Sequence, residues 1–541
     1  MQKKIGPIFY RLGILFPWLT LVFFFYKYSL NLPVRDDHRV FIGFQKYYFK
    51  ADTFLAKLQT ILIPDNESHP IFMRTLSVLQ TYIDGEINFQ HILIFCWVFI
   101  VIVWWIYFRG LSKSKTFRLI FGLWILNLLL YELFFRTDVA TYQMATFGLS
   151  VFVLYASTLY KNSSIYWKFL FFVVFFLAPT GSINGFIANG LVIIYLGIKK
   201  EKRALWISLI LFSAQIIIFY FLSDEGKSIS LFENIKRYNY ELVIAFFMSL
   251  GGIFNLNHSF IFQIISAILG FGFFSFTAYY LFIKRPDFVN FKSLLFLFSA
   301  LSLAAIVTLR YNYWLPGYSS IFESRYKIYG VTIILIAFSI FYEKFKSKFI
   351  NGLIVVTSVL IFAAGVYKGI FLLEGQQLTQ ITDTYNIGEG SLKQDFAIRY
   401  LTTNQHALEL KQNGIFDFYD SRNKIQKLLD DSQKLEFKDI NLSEKLDDPL
   451  NRGDWAKMEI PLQRITVNGS FPRYNYYIIK FTLKNGKHGI YFLMPPIKSL
   501  RQKISGNPKK YNYLSHTYYF DFFEGFDPQS AEVYGLNSIE L

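Results

Sequence analysis

Long apolar runs recur along almost the whole first two thirds of this chain, and they constrain its fold more than any motif does. A stretch of about 18 or more apolar residues is what a helix needs to cross a bilayer. Eleven such spans are predicted, near 8–30, 89–109, 118–135, 144–160, 166–180, 183–198, 205–222, 260–283, 291–309, 327–342 and 349–371. A transmembrane β-barrel is excluded, because its strands are short and alternate apolar with polar residues. A soluble domain rarely has such a composition: 53% of the 541 residues are hydrophobic and 62 are Phe. The N-terminal run is too long for a signal peptide and no small-residue cleavage site follows it, so it reads as an uncleaved first span. Cys96 is the one cysteine, which rules out an intrachain disulfide.

Charge gives the orientation. Residues 373–541 hold 21 basic and 21 acidic residues, so the whole excess of +17 lies in residues 1–372. Such an excess in a membrane region reports topology, not nucleic acid binding. With eleven spans, one set of short loops carries 19 basic residues against three acids, Glu201, Asp287 and Glu343; the other side carries 15 and 14. The lopsided side is expected to be cytoplasmic. The segment 240–254, "YELVIAFFMSLGGIF", is apolar enough for a twelfth span, but a twelfth span would reverse the later basic loops. It is therefore read as a half-helix broken at Gly251–Gly252, which membranes tolerate only where protein or a water-filled cavity surrounds the break.

Four long pieces then lie outside: 31–88, 223–259, 310–326 and the tail from 373. Function is expected there. The first carries the cluster Asp36, Asp37, His38 and Arg39 immediately after the first span, followed by amphipathic stretches. In "HPIFMRTLSVLQTYIDGEI", Phe72, Leu76, Leu79 and Ile83 share one helical face. Such helices skim the membrane surface. Glu67, His69 and Arg74 are further charged points of the same loop.

A first span, an acidic pair at its outer end, interfacial helices in a long first loop, many further spans and a soluble outer domain together resemble the GT-C superfamily of integral-membrane glycosyltransferases. The phrases "NESHPIFMRTL", "SINGFIANGLVI" and "FESRYKIYG" are similar to recurring phrases of bacterial polytopic proteins of that type. The resemblance covers residues 8–372 in architecture and only short pieces in motif. It implies transfer of a sugar from a polyprenyl-phosphate-linked donor to a glycan, lipid or protein acceptor of the cell envelope, at the outer face of a bacterial cytoplasmic membrane. Asp36 or Asp37 then serves as the base that takes the acceptor's proton, a desolvated carboxylate at the membrane surface being suited to that work. The alternative is a solvated pair that caps the next helix. Glu67, His69 and His38 are candidates to support the pair, or to hold Mg2+ or Mn2+ with it, oxygen ligands suiting those ions.

The stretch "RYNYWLPGYSSIFESRYKIYG" at 310–330 is the second informative region. Arg is suited to fork onto a phosphate, and Tyr and Trp suit the headgroup level. Arg325 is the candidate carrier-phosphate ligand, helped by Arg310 or Tyr326 and oriented by Glu323, with Arg74 a further candidate from the first loop. An aromatic belt with an internal Glu323–Arg325 pair is the competing reading. Glu132, in "LLLYELFF", is a weaker candidate, as any acid within a span is. Three other functions share this architecture: a polysaccharide polymerase or ligase, a lipid-linked sugar flippase, and a transporter. The first two need no acidic pair after the first span, and a transporter places its charges at the bilayer midplane.

Beyond 372 the pattern changes. Residues 373–433 read as a helical connector and 434–541 as a β-rich outer domain, a small β-sandwich, with "LKNGKHGIYF" as a hairpin signal. The expected fold is an all-α polytopic membrane domain of about eleven spans with interfacial helices in its first outer loop, followed by a soluble α+β domain.

Overall fold

The computed structural model describes residues 7–34, 37–63, 70–222, 239–256, 259–284, 289–309, 319–345, 347–389, 414–435, 439–446, 462–471, 476–484, 486–493, 511–521 and 528–536. The chain divides into two compact units. One contains residues 1–29, 58–76 and 90–372; the other contains 30–57, 77–89 and 373–541.

The first unit is helical. Among the described residues seven helices are long and apolar enough to cross a membrane: Phe89–Gly110, Thr137–Asn162, Lys202–Phe219, Phe260–Ile283, Phe291–Leu309, Ser324–Lys344 and Lys348–Asn386. Many large apolar side chains on them face outward, including Ile94, Val98, Val101, Phe260, Ile268, Val356 and Leu360. Hydrocarbon surroundings satisfy such a surface and water does not. Polar side chains join the helices inside: Tyr107 meets Thr332 at 2.8 Å, Trp124 Nε1 donates to Ser358 at 2.8 Å, and Asn184 Nδ2 donates to Tyr329 at 2.7 Å.

The predicted spans 166–180 and 183–198 form shorter helices, Ile165–Leu177 and Asn184–Ile198. Thirteen residues rise about 20 Å, short of a hydrocarbon core about 30 Å thick. Pro179 has no N–H to offer the Phe175 carbonyl four residues earlier, which ends the first of them. That orphaned carbonyl accepts from Asn189 Nδ2 at 2.8 Å and from Gln215 Nε2 at 2.9 Å. The prediction of a span at 118–135 is corrected. The helix Lys115–Ile125 stops after 11 residues, and the chain turns at Leu128–Leu130 before resuming at Glu132–Phe135. The Asn127 side chain makes the break: Oδ1 accepts from the Leu129 N–H at 2.9 Å and Nδ2 donates to the Ile361 carbonyl at 3.2 Å. The segment 240–254 is also interrupted, with a helix Asn239–Leu250 giving way at Gly251 to a tight turn, Gly252–Phe254.

Two amphipathic helices, Phe54–Leu62 and Ile71–Asp84, turn several large apolar residues outward. Phe54, Leu55 and Leu58 are exposed, as are Leu79, Tyr82 and Ile83, while Ser77, Gln80 and Thr81 are buried. A helix surrounded by water does the opposite. The polar face is occupied internally: Gln45 Nε2 donates to the Ser77 carbonyl and to Thr81 Oγ1.

The second unit carries two antiparallel sheets. Strands β1 (Gln433–Leu435), β4 (Tyr476–Leu483), β5 (His488–Leu493) and β7 (Pro528–Leu536) form a four-stranded sheet in the order β1-β7-β4-β5, and β2 (Asp439–Leu446), β3 (Leu462–Phe471) and β6 (Tyr511–Asp521) form a three-stranded one. The β4–β5 hairpin turns through Gly486, whose φ of 76° only glycine adopts freely. The predicted helical connector is partly the continuation of the last long helix, which runs for 42 residues from Lys348 to Glu389, and partly the helix Phe418–Asp430; the intervening predicted helix lies outside the described residues. Near the end of the long helix, Asn386 bonds both ways to Ile490 of β5. Its Nδ2 donates to the Ile490 carbonyl at 3.0 Å and its Oδ1 accepts the Ile490 N–H at 2.8 Å.

On the β7 side of that sheet, Lys434 Nζ lies 2.5 Å from Glu532 Oε1, and the Tyr534 hydroxyl donates to Glu532 Oε2 at 2.6 Å. The Lys434 and Tyr534 hydrogen bonds hold the Glu532 carboxyl below the usual Glu range. Burial, with Glu532 beside it, pushes the Tyr534 phenol up to about 12. A lowered carboxyl contributes stability above its unfolded value and loses it as pH falls; a raised phenol contributes below its unfolded value and loses it as pH rises. Secondary structure of this sheet, followed by circular dichroism of the full chain in detergent, is therefore expected to weaken at acid pH and again between about pH 10 and 12. Tyr534→Phe should remove the alkaline loss, and an unchanged alkaline limb would refute the assignment.

Candidate functional site

The break after Ile125 leaves three charged side chains buried within ten residues of one another. Glu132, Arg136 and Asp138 are all nearly inaccessible. Arg136 Nη1 lies 2.8 Å from Glu132 Oε1, one helical turn back. Its Nε and Nη2 fork onto the Asp138 carboxylate at 3.2 and 2.7 Å. A planar guanidinium facing a carboxylate in this way forms the strongest class of side-chain pair.

The cluster reaches across the sequence to the segment that opens the helix Lys327–Lys344. Glu132 Oε2 accepts from Ser324 Oγ at 2.9 Å and from the Arg325 backbone N–H at 3.2 Å, and the Glu132 N–H donates to Ser324 Oγ at 3.1 Å. The first polar groups of the turn Ser324–Tyr326 are thus capped by a carboxylate about 190 residues away. Arg325 is held through its main chain by Glu132. The guanidinium pairs with Glu323 and lies 5.1 Å from the centre of the Tyr326 ring. Among the described residues its buried Nε–H finds no acceptor.

A second interrupted segment abuts the same helix start. Ser249 Oγ donates to the Ile321 carbonyl at 3.4 Å, and the Gly252 backbone lies against Phe322 and the Lys327 stem. Lys368, on the long helix Lys348–Glu389, donates to the Leu256 carbonyl at 2.6 Å. Two broken membrane segments and one helix start therefore share a single charged neighbourhood. Irregular backbone is costly in hydrocarbon and is tolerated only where protein or a water-filled cavity surrounds it.

Of the residues expected from sequence, Glu323, Arg325 and Tyr326 lie within four positions of the chain, and Arg325 pairs with Glu323 and packs on Tyr326. Asp37 is fully buried and part of a tight local turn: its Oδ2 accepts the Val34 N–H at 3.0 Å and its own N–H donates to the Val34 carbonyl at 3.0 Å. It precedes a π-helical stretch, His38–Gly43. Arg74 is engaged as a helix cap. Its Nη1 donates to the carbonyls of Thr60, Ile61 and Ile63, at the C-terminal end of Phe54–Leu62. That donor satisfies orphan helix carbonyls. Asp36, Glu67, His69 and Arg310 lie outside the described residues, and so does the His38 side chain. Among the described residues no group of three His, Cys, Asp or Glu side chains is arranged to hold a metal ion. The expected Mg2+ or Mn2+ set rests mainly on residues outside that description.

Arg136, Asp138 and Lys368 were not singled out in the sequence. The signal was present: "ELFFRTD" sets three charges within seven residues beside an apolar run, at a spacing that puts Glu132 and Arg136 one turn apart. Compared with protein families, curated proteins and solved structures, the chain matches none.

Proposed function

We propose that this protein is a membrane glycosyltransferase that moves a sugar from a polyprenyl-phosphate-linked donor to a cell-envelope acceptor at the outer face of a bacterial cytoplasmic membrane. The observation that carries this reading is Arg325. It opens a membrane-length helix, its main chain is fixed by the buried Glu132, its side chain is flanked by Glu323 and Tyr326, and its buried Nε–H has no acceptor among the described residues. A pre-positioned guanidinium with an unused donor suits a phosphate oxygen. The acidic pair after the first span, Asp36 and Asp37, supplies the base.

In this mechanism the carboxylate takes the proton of the acceptor hydroxyl as its oxygen bonds to the anomeric carbon. The bond from that carbon to the donor phosphate breaks, and the electron pair leaves with the polyprenyl phosphate. Arg325 steadies the negative charge that develops on the leaving phosphate. Desolvation of Asp37 and its fixed bond to the Val34 N–H hold the carboxylate in one orientation.

The test is sugar transfer from radiolabelled polyprenyl-phosphate donors in membranes carrying Asp36→Asn, Asp37→Asn or Arg325→Lys at equal expression. One acid variant is expected to lose about 100-fold or more in rate, and Arg325→Lys about as much. Full activity in all three variants ends the proposal. Activity kept in both acid variants and lost in Arg325→Lys points instead to a polymerase, ligase or flippase acting without a carboxylate base.

A further inference from the structure

Lys327 lies in the charged neighbourhood, and the transfer chemistry does not use it. It is only 4% exposed and sits at the first position of the helix Lys327–Lys344. Its stem packs against the Gly252 backbone at the broken segment, and among the described residues no hydrogen bond or ion pair engages its ammonium. Two charged groups act on it: Glu132 attracts and Lys368 repels. The attraction is already divided, because Glu132 Oε1 is taken by Arg136 and Oε2 by Ser324 and the Arg325 N–H. Lys368 has a carbonyl, that of Leu256, and among the described residues no carboxylate partner. A buried ammonium, that of Lys327, and a half-buried one, that of Lys368, thus lie within electrostatic reach of each other, and among the described residues neither is paired with an acid of its own.

Buried like charges are strongly unfavourable unless something neutralises them. We propose that Lys327 and Lys368 form an anion site for a phosphate or diphosphate group, located where the broken segment Gly251–Leu256 meets the head of the helix Lys327–Lys344. A doubly charged phosphate balances two ammonium groups, which a carboxylate or a halide does not. Lysine binds such a group as a point charge, so the site does not demand the planar geometry that Arg325 offers. The ligand is either the phosphate of a lipid-linked molecule or a free inorganic phosphate species, since the chemistry recognised is the same.

The measurement uses the full chain in nanodiscs of zwitterionic lipid, with 32P-labelled inorganic pyrophosphate as one probe and decaprenyl phosphate doped into the disc as the other. At least one probe is expected to bind and to raise the thermal midpoint, more weakly as salt rises. Binding of the lipid probe alone assigns a lipid source, and binding of pyrophosphate alone assigns a soluble one. Lys327→Met and Lys368→Met should each weaken binding about tenfold or more, and Lys327→Arg should retain most of it. Lys327→Met should also raise the midpoint of the ligand-free protein, because an apolar side chain replaces an unbalanced charge. The proposal fails if neither probe binds the parent protein. It fails equally if Lys327→Met lowers the ligand-free midpoint and leaves binding intact. Binding is read without turnover, so loss of sugar transfer in the acid variants has no bearing on it.

Discussion

Arg136→Met is expected to lower the stability of the folded protein by about 3–5 kcal/mol, the cost of leaving a buried ion pair with one partner. The substitution removes the cation that Glu132 and Asp138 share and takes from each buried carboxylate its ion pair with Arg136. Unfolding of the purified protein in detergent, followed by tryptophan fluorescence, reads the effect directly. Neutralising the acids together with the arginine, as Glu132→Gln, Arg136→Met and Asp138→Asn, should recover a large part of the loss, because no unpaired charge then remains. A single variant as stable as the parent would show that the cluster is hydrated and not a closed electrostatic unit. Equal losses in the single and triple variants would mean that packing, not charge, accounts for the cost.

Gly270→Ala and Gly272→Ala should behave in opposite ways although they are two residues apart on one helix. A methyl group at Gly270 would run into the Phe247 carbonyl, whereas nothing lies within 4 Å of one at Gly272. The first change forces the helices Asn239–Leu250 and Phe260–Ala278 apart and is expected to cost about 1–3 kcal/mol. The second replaces glycine by a better helix former and is expected to be neutral or to stabilise by up to about 1 kcal/mol. Gly251 and Gly330 make the same kind of approach, to the carbonyls of Ser266 and Leu250, so three helical segments meet backbone to backbone here. Thermal midpoints of the two variants side by side decide the matter, and similar midpoints would refute the close packing.

Much of the helical layout was legible because hydropathy reports it directly. The interruption at Gly251–Gly252 was legible too, since paired glycines inside an apolar run weaken a helix at a definite place. The break after Ile125 was hidden. Hydropathy averages over "FGLWILNLLLYELFF" and sees one span, whereas the backbone responds to a single Asn127 side chain that finds partners at Leu129 and Ile361. The second of these is more than 200 residues away, beyond the reach of any local pattern. For the same reason Glu132 looked like an isolated acid: its partners Ser324 and Arg325 belong to another part of the sequence. Arg74 stands out in the sequence as a candidate phosphate ligand because its charge shows there, while the helix-end carbonyls it caps do not. The pairing of Glu323 with Arg325 was accessible because the two residues are near neighbours in the chain.

A strand at the border of a sheet exposes donors and acceptors that a foreign strand can adopt. The amide of Asn386 occupies both backbone groups of Ile490, so one rung of that border is already taken by the protein's own side chain. An incoming strand would meet a rung with nothing to offer and would have to dislodge the clip or shift its alignment. For a protein confined to a bilayer, where neighbouring copies are held at high local density, this guards against chain-to-chain stitching at the cost of a single asparagine.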